Sequence, residues 1–168
     1  MNYFTLFIAI ALLSWGVSAL LNRRFKQYSK VYLPLTGREV AEKMLRDNGI
    51  YDVRVVSVAG HLTDHYDPRN KTINLSQSVY DSNTVAAAAV AAHECGHALQ
   101  HAHAYAPLNL RSALVPVVNF ASQWLTWVLL GGILLLNTFP QLLLLGIFLY
   151  GLTTLFAFIT LPVEINAS

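Results

Sequence analysis

The sequence predicts a mainly α membrane protein, with about three transmembrane helices and a small α+β polar insert after the first of them. Two observations carry this. Apolar residues make up 55% of the chain and charged residues only 12%, about half the charge share of a soluble protein. The charges are also segregated. All eleven Lys and Arg, and every acid except Glu164, lie between residues 22 and 112, so that residues 3–21 and 112–163 carry none. A bilayer core of roughly 30 Å needs about 20 apolar helical residues. The first uncharged run is therefore one span, and the second is long enough for two. This composition excludes a disordered chain and a nucleic-acid-binding arm. A net charge of +2 is too mild to argue for an anionic partner, and the lone Cys95 excludes an intramolecular disulfide.

The elements follow in order. Residues 1–21 read as an N-terminal anchor with its span at 3–21. Asn2 and Tyr3 offer no basic flank, whereas Arg23, Arg24, Lys26 and Lys30 follow the apolar stretch directly. A cleaved signal peptide has the opposite arrangement. Because basic flanks stay in the cytoplasm, the insert, 22–112, is expected on the cytoplasmic side. Thr36-Gly37-Arg38-Glu39 fits a capping box opening a helix that runs to about Asp47, where Asn48-Gly49 stops it. Val53 to Val58 reads as a strand. Asp67-Pro68-Arg69-Asn70 is a turn signal, and predicts a hairpin pairing Leu62–Tyr66 with Thr72–Leu75. If Thr72–Leu75 were an exposed edge, an extended peptide could add to it. Asp81 to Thr84 supplies N-caps for an alanine-rich helix, VAAAAVAAHECGHALQHAHA. Residues 113–168 form a hairpin of spans near 114–136 and 142–161, broken at Asn137, Thr138, Pro140 and Gln141. Pro162 then suits the first turn of a new helix carrying Glu164.

The alanine-rich helix contains His93-Glu94-Cys95-Gly96-His97, an H-E-x-x-H pattern. Four residues turn a helix by about 400°, so the two imidazoles sit about 40° apart and about 6 Å apart along the axis. Both reach one Zn2+. Glu94 can take a proton from water activated by the ion and return it to a leaving amine. A catalytic zinc takes three protein ligands, and three residues compete for the third place. His101 is about 12 Å along the axis from His93, too far to share an ion with both. His103 matches the spacing of H-E-x-x-H-x-x-G-x-x-H, but Gln100 stands where that pattern has a helix-breaking glycine. Glu164 is the best candidate. It is an ionisable group just past an apolar span, where an unpaired charge is costly, and the hairpin returns it to the side of His93 and His97. Cys95 points away from both histidines and reads as a packed apolar residue. His61, His65 and Asp67 read as solvated loop residues, and Arg111 either as a snorkelling flank or as a charge partner in the site.

The stretches GHLTDHYDPRNKTINLSQSVYDSNTVAAAAVAAHECGHALQHAHAYAPLNLRSALVPV and LPVEINAS resemble the neutral zinc metallopeptidases of bacterial membranes. The resemblance implies a zincin-like insert, with His93, His97 and Glu164 as zinc ligands and Glu94 as catalytic acid/base. It also implies Zn2+ as cofactor, a peptide or protein substrate, and an integral protein of the bacterial cell membrane. The layout is similar to that of the CAAX-prenyl-protease-like membrane gluzincins. Cys95 replaces an aliphatic residue, and Asn166 stands where the distal motif carries Asp. Relatives also continue beyond the position of Ser168. The alternative expectation is therefore a truncated, catalytically weak membrane adaptor that retains a zinc helix.

Overall fold

A computed structural model describes residues 2–168, so the first residue of the expected anchor lies outside the described residues. The chain is a mainly α membrane protein. Among the described residues, six helices and three short strands follow in the order α1 (Tyr3–Tyr28), α2 (Gly37–Asp47), β1 (Arg54–Val58), β2 (His65–Asp67), β3 (Thr72–Ser76), α3 (Gln77–Tyr80), α4 (Val85–Ala102), α5 (Ala106–Leu134) and α6 (Gln141–Ala167). The helices α1, α5 and α6 are long and apolar enough to cross a membrane. α1 and α6 run past the expected spans 3–21 and 142–161, whereas α5 starts before the expected 114 and stops short of 136. The chain divides into two units, Met1–Ala98 and Leu99–Ser168.

In the first unit, Asn2 caps α1 by accepting from the Thr5 N–H at 2.9 Å. None of the apolar stretch of α1 is buried within the protein, as expected of a helix solvated by lipid. Residues 31–33 then run antiparallel to the start of α4: Leu33 N–H donates to Asn83 O, and Val85 N–H to Val31 O. Thr36 and Glu39 form the expected capping box, and α2 buries Ala41 and Leu45.

The sheet has the order β1-β3-β2. A hairpin forms at the expected turn, but its first strand is His65–Asp67 and not Leu62–Tyr66, with His65 opposite Asn74 and Asp67 opposite Thr72. Its turn is held by the Asp67 carboxylate, which accepts from the Arg69 N–H at 2.8 Å and the Asn70 side chain at 2.7 Å. β1 lies parallel to β3 on the other side, from Arg54–Thr72 to Val58–Ser76. The condition for peptide addition at Thr72–Leu75, an exposed edge, is therefore not met. β3 is the central strand, every one of its residues is buried, and the edge beside the hairpin is β2. The crossover from β1 to β2 needs left-handed backbone at Gly60 (φ 117°) and Leu62 (φ 58°). At Gly60 a side chain would also meet Thr63 at 2.6 Å. Thr84 Oγ1 accepts from the Ala87 N–H at the start of α4. Ala87, Ala91, Cys95 and Ala98 form the buried stripe of that helix, at the i, i+4, i+8, i+11 spacing of one face.

In the second unit, α5 and α6 are antiparallel in a constant register. A Cβ on Gly132 would stand 2.7 Å from the Leu143 backbone, and one on Gly146 would stand 2.6 Å from the Leu129 side chain. Continued to the other end, the same register sets Arg111 opposite Glu164. Pro162 does not begin a new helix as its residue type suggests. It lies inside α6, which runs unbroken from Gln141 to Ala167. Proline costs such a helix one backbone bond, a loss that membrane helices tolerate where neighbouring groups satisfy the carbonyl.

Candidate metal centre

His93 and His97 project from adjacent turns of one face of α4, their rings 4.8 Å apart between centroids and inclined at 77°. Both are half-buried. Glu94, one residue on, is buried at 8% exposure and turns toward the sheet, where the Tyr66 backbone N–H donates to its carboxylate. Tyr66 belongs to the edge strand. It lies opposite Ile73 of β3. Burial lifts the Glu94 carboxyl above its ordinary range. The nearby His97 and His93 and the Tyr66 N–H act in the opposite direction. The result is a carboxylate held beside two imidazoles and readier than usual to accept a proton.

Cys95 is fully buried, and its thiol donates to the Ala41 carbonyl across 3.6 Å. Burial, its main cause, pushes the thiol pKa up to about 12, so it is a neutral packed side chain, as its helical position predicts. His103 lies past the end of α4, with its Nδ1 2.9 Å from the Leu99 carbonyl. Here the helix has simply ended, and no glycine swings the ring back. His65 is tied by Nδ1 to the Thr63 carbonyl at 2.7 Å and by Nε2 to the Asn74 side chain at 3.2 Å.

The final turn of α6 carries Glu164. Arg111 is its charge partner, with guanidinium and carboxylate 3.7 Å apart, which decides between the two readings of Arg111. Gln100, in the last turn of α4, is a residue that motif reading passed over. It is buried, and its Nε2 donates to the Val163 carbonyl at 2.8 Å and to Asn166 Oδ1 at 2.9 Å, on either side of Glu164. The one available signal was its place three residues after His97, on the same helical side. Asn166, where the motif carries Asp, is thus an acceptor for a neutral amide. Ser168 donates to the Glu164 backbone carbonyl at 3.0 Å.

His93, His97 and Glu164 could hold one metal ion. Each is half-buried and offers one ligand atom. Two imidazole nitrogens and one carboxylate oxygen are a donor set that suits zinc and leaves a fourth position open.

A family model described as "Putative neutral zinc metallopeptidase" matches residues 3–168. The chain is also similar to a curated protein of Bacillus subtilis (strain 168), "Putative membrane protease YugP". The two are 45% identical over 170 residues, which cover 100% of this chain and 75% of that protein. No solved structure matches.

Proposed function

Because the chain belongs to the neutral zinc metallopeptidase family, we propose that it is a membrane endopeptidase whose ion is held by His93, His97 and Glu164, with Glu94 as its acid/base. The observation that carries this reading is the His-His-Glu set with a buried, proton-avid carboxylate one residue from its first member. Bound zinc would supply a Lewis acid and an acidified water. The chain supplies the rest. Glu94 accepts a proton from the attacking water and delivers it to the leaving amine. The Tyr66 N–H fixes the rotamer of Glu94, and the edge strand β2 offers its outer side to an extended peptide. Arg111 orients the Glu164 carboxylate, and Gln100 anchors the backbone on both sides of it. The basic residues after the first span favour the cytoplasmic face for this chemistry.

Glu94→Gln tests the reading directly. It keeps the size and the hydrogen-bond acceptor but cannot shuttle a proton. Peptide cleavage is expected to fall by on the order of 10²–10⁴ while bound zinc stays at wild-type stoichiometry. Cleavage at the wild-type rate would refute the role of Glu94.

A further inference from the structure

A cavity of about 190 Å³ lies within the first unit, beside the stretch of α4 that precedes the histidines. Small-molecule sites run to roughly 300–1,000 Å³, so this volume suits a single side chain. Its lining includes apolar Val79, Ala86 and Val90 and polar His61, Asp64 and Ser76. The Asp64 carboxylate is partly buried. It accepts from the Ser76 N–H at 2.7 Å and from the Ser76 hydroxyl at 3.0 and 3.2 Å. Both donors are neutral, and among the described residues no Lys or Arg pairs with Asp64. A partly buried carboxylate with no Lys or Arg beside it favours a cation.

The place of the cavity connects it to the proposed chemistry. Val90 is one turn before Glu94 on α4, about 6 Å along the axis and 40° around it. Asp64 is two residues before Tyr66, whose N–H holds the Glu94 carboxylate, and the Asp64 charge is felt at Glu94. A peptide lying along the outer side of β2 with its scissile carbonyl at Glu94 would bring a side chain one or two residues away to the mouth of this cavity.

We propose that the cavity is a specificity subsite that takes a lysine or arginine side chain of the substrate, with Asp64 as its counter-charge. The source of that side chain rests on the peptidase reading, whereas the cavity and its charge do not.

The test uses the full chain carrying Glu94→Gln, zinc-loaded in a maltoside detergent at pH 8. The probes are fluorescein-labelled alanine-based octapeptides with lysine, norleucine or glutamate scanned through each position. At one position lysine is expected to bind about tenfold tighter than norleucine, and glutamate more weakly than either. Asp64→Asn, which keeps an acceptor for the Ser76 N–H, should bring lysine down to the norleucine affinity. Val90→Lys, which plants a cation in the cavity, should weaken the lysine peptide selectively. The proposal is overturned if no position favours lysine, or if the preference survives both substitutions. Lysine peptides that bind through Asp64 but are not cut by the wild-type chain would leave the subsite standing and remove the peptidase reading. Cleavage with no basic preference would do the reverse.

Discussion

Glu94 and Gln100 show two ways in which one side chain sets the chemistry of a neighbour. Glu94 is buried where its charge is costly, and the Tyr66 N–H and two imidazoles leave that cost only partly offset. Gln100 acts at a distance, through backbone and amide contacts to Val163 and Asn166. Gln100→Leu keeps the volume but leaves the Val163 carbonyl and the Asn166 oxygen without that donor. It should cost about 1–3 kcal/mol of stability, read as a lower melting temperature in detergent, and it should weaken zinc binding although Gln100 is not a ligand. Zinc affinity equal to wild type would remove its positioning role. The sequence shows the ligands themselves, because H-E-x-x-H is a local pattern on a helix. It does not show Gln100, whose partners are more than sixty residues away. Arg111 has the same difficulty, since its pairing with Glu164 follows from the α5–α6 register and from nothing nearby in the chain.

At the scale of elements, local signals translate directly into structure. The capping box at Thr36 and Glu39, the Asp67 turn and the alanine-rich helix all appear where side-chain chemistry puts them. Glu39 accepts from the Thr36 N–H and hydroxyl at 2.8 and 3.0 Å, and these bonds, the backbone one foremost, lower its pKa. A lowered carboxylate pKa contributes stability that is present above the unfolded value and lost as pH falls through the folded one. Glu39→Gln should therefore melt below wild type at neutral pH, and the gap should close on acidification below the ordinary carboxylate range. A gap that does not change with pH would contradict this. Two element-level features have no local signal. One is the parallel pairing of β1 with β3, which turns an apparent edge into the centre of the sheet. The other is the continuity of α6 through Pro162, where the membrane helix overrides a residue type that usually starts or stops one. Close packing of α5 on α6 depends on Gly132. A leucine there would meet the Leu143 backbone at 2.7 Å, which cannot yield as a side chain can. Gly132→Leu should lower stability by about 1–3 kcal/mol, measured by thermal unfolding in detergent, and an unchanged melting temperature would show that the hairpin is looser than described.

For the molecule as a whole, the charge segregation legible in the composition corresponds to three apolar helices and a polar insert bearing the zinc helix. Each membrane helix leaves most of its apolar surface facing outward, which only lipid can cover at low free energy. The account depends on two imidazoles from α4 and one carboxylate from the end of α6 serving a single ion. Metal analysis of the purified full chain, alongside His97→Ala and Glu164→Ala, tests this most directly. One zinc per chain should be found in the wild type and lost from both variants under the same dialysis. Zinc retained at full stoichiometry and affinity in Glu164→Ala, with loss only in His97→Ala, would contradict it.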